Sequence, residues 1–119
     1  MSNSGDKTVC EPIVFFGAGP VAAASLELLA SSFTIEAVVT KPRAAHHKGP
    51  VPVLTVANKL GLPIITAEGK ADLSQKITQS KLKSRVAVLI DFGIIVDQAV
   101  IDAFPLGIVN SHFTYKNSN

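Results

Sequence analysis

The chain is poor in the features that staple or anchor a protein. Its 119 residues hold a single cysteine, Cys10, which excludes an internal disulfide and a cysteine-cluster metal site and suits a reducing compartment. Charged residues reach only 17%, below the ~25% common in globular proteins. Long hydrophobic runs are missing too. Mean hydropathy is +0.35, yet a stretch such as Val86–Ile90 falls far short of the ~20 apolar residues that a membrane-spanning helix needs. The amino end, Met1–Cys10, has no apolar segment behind a basic start, so it resembles neither a secretory signal nor a transit peptide, and a cytoplasmic location is expected. The net charge of +2 and isoelectric point near 8.8 are too small an excess to establish a nucleic-acid partner.

Apolar residues make up an ordinary 47%, which excludes extended disorder, and the length predicts one domain. Residues 1–12 read as a flexible segment, 13–113 as the domain and 114–119 as a polar tail. Within the domain, Ile13–Phe16 is a short apolar run between Pro12 and Gly17, the pattern of a buried strand feeding a glycine turn. Pro20 then opens an alanine- and leucine-rich helix to Ala30, since proline at a first helical position gives up a donor that would be unpaired anyway. Ile35–Thr40 predicts a second strand. A basic loop to Pro50 follows, then a helix over Val51–Leu60 with Gly61 ending it, and a third strand over Leu62–Thr66. Asp72 is expected to cap a helix carrying Leu73 and Ile77. Lys81, Lys83 and Arg85 read as a solvated connection. Val86–Ile90 is a fourth strand, Asp97 caps a short helix ending at Phe104-Pro105, and Ile108-Val109 begins a fifth strand.

Strands apolar on both faces, alternating with helices, indicate an α/β architecture: a Rossmann-like parallel sheet of about five strands with helices on both faces. Parallel strands align their carboxyl ends, so an active site belongs on that edge.

Two motifs there carry chemistry. Gly17-Ala18-Gly19-Pro20-Val21-Ala22 fits the glycine-rich turn that lets backbone approach a pyrophosphate at a helix start. Its glycines serve tight packing equally well. The end of the second strand carries Lys41 and Arg43 rather than a ribose-binding acid, which disfavours NAD and leaves a noncatalytic NADP-type module open. Asn110 and His112, one residue apart on a strand end, point the same way. An amide can hold a carbonyl oxygen while an imidazole moves a proton, as acyl transfer to an amine requires. The same pair would also serve as a polar cap. Adjacent His46 and His47 have no acidic or cysteine partner nearby, so no metal is expected.

From Ile13 to Phe113 the chain resembles the amino-terminal half of the catalytic domain of the formyltransferase family. The segments that carry the resemblance are Ile13–Gly17, Ala37–Pro42, Gly61–Ile64, Asp91–Ile95 and, most specifically, Gly107-Ile108-Val109-Asn110-Ser111-His112-Phe113. The resemblance implies transfer of a formyl group from 10-formyltetrahydrofolate, a folate cosubstrate, to the amino group of methionyl initiator tRNA. It implies that Asn110 binds the formyl oxygen and that His112 assists the tetrahedral intermediate. Backbone around Phe92, Ile94 and Val96 would line the pterin pocket, and Lys41, Arg43 and Lys48 in the basic loop would face the tRNA phosphates. The family continues with serine, leucines, proline and a basic-glycine stretch, and its catalytic aspartate lies beyond. This chain instead reads Thr114-Tyr115-Lys116-Asn117-Ser118-Asn119. The expectation is therefore an incomplete catalytic domain, weakly active or inactive alone, and self-associating through an exposed edge strand. The glycine turn also departs, with Ala18-Gly19-Pro20 where the family commonly has threonine-proline-glutamate.

Overall fold

Strand β1 (Ile13–Gly17) contains no polar side chain, and all five of its residues are buried. Because successive side chains in a strand point to opposite faces, Val14 and Phe16 enter one hydrophobic layer while Ile13 and Phe15 enter the other. A strand buried on both sides must sit in the middle of its sheet, and β1 does. The structure, a computed structural model, describes residues 11–42 and 51–111. Among them the remaining strands are β2 (Ile35–Thr40), β3 (Ile64–Thr66), β4 (Val86–Ile90) and β5 (Gly107–Ser111). The helices between them are α1 (Pro20–Ala30), α2 (Pro52–Leu60), α3 (Lys70–Gln79) and α4 (Gln98–Asp102).

The sheet order is β3-β2-β1-β4-β5 and every pairing is parallel. This is the Rossmann-like α/β architecture that the alternating pattern predicts. The order reverses between β1 and β4, so that junction is the topological switch point. Helices α1 and α2 cover one face through Ala22, Leu26, Val53 and Ala57. Helices α3 and α4 cover the other through Leu73, Ile77 and Val100.

Two local readings are corrected. The third strand starts at Ile64 rather than Leu62, because the Leu62 N–H closes the end of α2 on the Ala57 carbonyl (2.9 Å), next to the left-handed Gly61 (φ 70°). Asp72 does not cap α3. Extended Gly69 takes that place, and Asp72, inside the first turn, accepts from the Glu68 N–H at 3.0 Å. The helix therefore begins three residues earlier, with the carboxylate reaching back to an otherwise unpaired donor. Asp97 does cap α4, its carboxylate accepting from the Val100 N–H at 3.2 Å.

Candidate functional site

The two edges of the sheet differ in how they are finished. At the amino edge the backbone is stitched shut: the Ile13 N–H donates to the Thr34 carbonyl at 2.9 Å, and the Leu106 N–H to the Arg85 carbonyl at 2.8 Å. There too Glu36, on β2, accepts from the Lys83 N–H (2.8 Å), the Ser84 N–H (2.8 Å) and the Ser84 hydroxyl (2.5 Å). Burial pushes the Glu36 carboxyl up, but the Ser84 hydroxyl, those backbone donors and the Lys83 charge together bring it below its ordinary 4.5. Among the described residues the carboxyl edge is less closely bonded. It carries two neighbouring concavities, which share Asp91, Phe92 and Gly93 just past β4.

The first is an apolar cavity of about 760 Å³ built by the segment after β4 against β5 and α4. Its walls are Leu89, Phe92, Ile94, Ile95, Val96, Ile101 and Ile108, with Asp91 and Asn110 as the polar members. Phe92 is only 1% exposed, because its ring stands edge to face on Phe16 at 5.5 Å. Gly93 lets the chain turn with φ 82°, and the next four residues run without helix or strand to Asp97. Such a wall, mostly hydrophobic with a few polar groups at one side, suits a flat ring with a polar rim. Asn110 stands in register with Leu89 and is exposed, so its amide can donate to a bound carbonyl oxygen.

The second concavity is a cleft of about 370 Å³ over the carboxyl ends of β1 and β2, with Thr40, Lys41 and Asp91 as its polar members. Ala18 and Gly19 from the β1–α1 turn, Thr40, Lys41 and Pro42 after β2, and Val51 and Pro52 entering α2 complete its lining. Asp91 has φ 50°, an uncommon state for a residue other than glycine. Its carbonyl accepts from the Ala18 N–H at 3.2 Å. Its carboxylate lies against Gly19, where an added Cβ would collide with Oδ2. Lys41 reaches across the end of β1 to Gly93, where an added Cβ would stand 2.8 Å from Nζ. Thr40 is fully buried, and its Oγ1 has no hydrogen-bond partner among the described residues.

The glycine turn thus serves packing. A Cβ at Gly17 would stand 2.6 Å from the Ala22 Cβ, 2.7 Å from the Phe15 ring and 2.8 Å from the Ile90 carbonyl. At Gly19 an anion is already in place, since the Asp91 carboxylate lies at the start of α1, where a pyrophosphate would have to approach. Like charges in that space repel, which disfavours a dinucleotide.

Of the residues singled out in the sequence, Phe92, Ile94, Val96 and Asn110 meet in the apolar cavity. Lys41 lies in the second cleft, where of these four only Phe92 joins it. His112, Arg43 and Lys48 lie outside the described residues, as do His46 and His47. Among the described residues no group of three or more metal-ligating side chains occurs, and no helix is long and apolar enough to cross a membrane. Sequence reasoning missed Asp91 and Thr40 as site residues. An acid directly after an apolar strand, two residues before a glycine, was the available signal for Asp91. For Thr40 no local signal exists, because its unpaired burial depends on what packs over it.

No protein-family model matches the chain. Curated relatives do. A methionyl-tRNA formyltransferase of Bifidobacterium adolescentis is 36% identical over 112 residues, covering 86% of this chain and 34% of the relative. One of Elusimicrobium minutum is 34% identical over 105 residues, covering 85% and 31%. One of Chromohalobacter salexigens is 35% identical over 105 residues, covering 84% and 32%. The chain spans about a third of the length of these relatives. Over about 85% of its own length the chain is similar to these methionyl-tRNA formyltransferases.

Proposed function

We propose that this chain is the donor-binding part of a formyl transfer apparatus, with 10-formyltetrahydrofolate as donor and the amino group of methionyl initiator tRNA as acceptor. The observation that carries the reading is the apolar cavity after β4, in which Phe92, Ile94 and Val96 come together with Asn110. A pterin ring fits that chemistry: its faces need apolar walls and its edge needs donors and acceptors, which irregular backbone over residues 93–97 offers.

Transfer of a formyl group passes through a tetrahedral intermediate whose oxygen becomes an oxyanion. The Asn110 amide, at the cavity and on the carboxyl edge, is the donor for that oxygen. His112, two residues on, takes the role of moving the amine's proton, as an imidazole titrating near neutrality can. Lys41, Arg43 and Lys48 supply positive charge for acceptor phosphates beside the cleft. Among the described residues no further strand pairs with the outer edge of β5, and exposed Val109 on it and Leu106 before it favour self-association there.

The test is titration calorimetry of the chain with 10-formyltetrahydrofolate and, separately, with NADP. Folate binding that weakens on Ile94→Asp, with no heat from NADP, is expected. Binding of NADP without folate binding would overturn the proposal in favour of a nucleotide module.

A further inference from the structure

We propose that the chain pairs face to face with a second copy of itself, the exposed ridge of α1 on each copy seated on the bare shelf that β4 and β5 form on the other. The contact brings Leu28 of each copy to Val109 of the other. This goes beyond the edge pairing of β5, from which it takes only that the chain associates, and it assigns a different surface to the contact.

The shelf follows from the order of the strands. Right-handed crossovers place α1 and α2 on one face while the chain steps from β1 to β3, and α3 and α4 on the other once it returns through β4 to β5. Helix α4 therefore packs on β5 from one side, while on the opposite side, among the described residues, α1 reaches only as far as β4. Side chains in register share a face, so Phe15, Val88 and Val109 form one row across the sheet. Exposure climbs along that row: Phe15 is buried, Val88 half-buried and Val109 57% exposed. Strands of a parallel sheet ordinarily have both faces covered, so an apolar face left bare here calls for an occupant.

Beside the shelf stands α1. Leu26 enters the core, and Glu27, about 100° further round the helix, accepts from the Lys59 ammonium of α2 at 2.6 Å. A second such step carries Leu28 over the crest, away from α2, where it is 73% exposed. Val21 and Ala24 lie on the same stripe and are exposed as well. On α3, by contrast, the exposed side chains include Lys70, Gln75 and Thr78. A helix about 10 Å across beside a bare strip makes a step. Two such steps interlock about a two-fold axis parallel to the strands, ridge on shelf twice over, as a self-complementary contact requires. Charge selects a second copy as the occupant. Both margins of the face carry charges already neutralised within the chain: Glu27 with Lys59 beside the ridge, and Glu11 with Arg85, whose carbonyl accepts from the Leu106 N–H at the foot of the shelf. A copy placed here meets apolar groups without facing charge of its own sign, whereas a strongly acidic or basic partner gains no new ion pair.

The experiment joins cross-linking to sedimentation of the 119-residue chain. In a Cys10→Ser background, Leu28→Cys and Val109→Cys are prepared as separate chains and treated with a short bis-maleimide, alone and mixed. The mixture is expected to yield a covalent dimer holding one chain of each kind, in preference to either variant linked to itself. By sedimentation, Leu28→Glu should raise the dissociation constant by about tenfold or more with an unchanged melt. Thr78→Glu, on α3, should leave it as it was. Val109→Cys linked to itself, with Leu28→Glu associating as before, keeps the edge pairing of β5 and overturns the ridge-on-shelf contact. Association that climbs past two copies as concentration rises overturns the two-fold arrangement. A chain monomeric at every concentration overturns both contacts and leaves the shelf to another segment or partner.

Discussion

Phe16 on β1 and Phe92 after β4 meet edge to face, ring centroids 5.5 Å apart and planes at 78°. Phe104 meets Phe16 the same way at 5.9 Å. The contact couples core to site: the central strand supplies the ring on which the wall of the apolar cavity rests. A cavity wall with that footing is in place before a ligand arrives, which spares the ordering of a loop on binding.

Truncating either ring should therefore be costly. Phe16→Ala is expected to destabilise the fold by about 3–5 kcal/mol, the range for a buried aromatic removed from a packed core. Phe92→Ala should lose a similar amount and also weaken folate binding, whereas Phe104→Ala should affect stability alone. Urea unfolding and folate titration on the same variants check this.

The Glu36 clasp gives acid sensitivity with a defined sign. Its carboxyl sits below its ordinary 4.5 in the folded chain, so its share of stability is complete above the unfolded value and is lost as pH falls through the lower folded value. Glu36→Gln should remove that part of the acid limb. At neutral pH it should cost about 1–2 kcal/mol, because backbone and hydroxyl donors lose a charged acceptor. Melts from pH 7 down to about pH 3 will show it.

Gly17 should not accept even alanine. The added Cβ would stand 2.6 Å from Ala22 and 2.8 Å from the Ile90 carbonyl, and neither a helix residue nor a strand carbonyl can yield without moving its element. A loss of about 1–3 kcal/mol is expected from overpacking. Chemical denaturation measures it. Gly61→Ala has open space around it and only the strain of φ 70° to bear, so it should cost about 1 kcal/mol.

In a fusion of this chain to the remaining two thirds of a relative, Asn110→Ala should slow formyl transfer to methionyl-tRNA by about 10²–10³, as loss of an oxyanion donor does. His112→Ala should lose at least as much. Transfer from labelled formyltetrahydrofolate is the assay. Wild-type rates after both substitutions would remove this pair from the chemistry.

The outer edge of β5 should also report itself. Sedimentation is expected to show association that rises with concentration, and Val109→Lys, placing charge on a side chain now 57% exposed, should suppress it without a change in melt. Concentration-independent monomers would end the edge-strand argument.

Much of this was legible in the residues because it depends on neighbours in the chain. Unbroken apolar runs mark strands buried on both faces, Pro20 and Gly61 mark helix ends through their own backbone limits, and a parallel sheet places Phe92, Ile94, Val96 and Asn110 on one edge whatever the details. What only the tertiary structure decided is what meets across that edge. Whether Gly17 and Gly19 cradle a ligand or admit a neighbour is undecidable from their spacing; Ala22, Ile90 and the Asp91 carboxylate settle it for packing. Thr40 and Lys41 are consecutive in the chain, yet one is buried with a hydroxyl that has no partner among the described residues and the other crosses β1 to Gly93. Local propensity acts over a few residues, whereas a cleft is formed by groups 20 to 70 positions apart, and their juxtaposition exists only once the strands have taken their order.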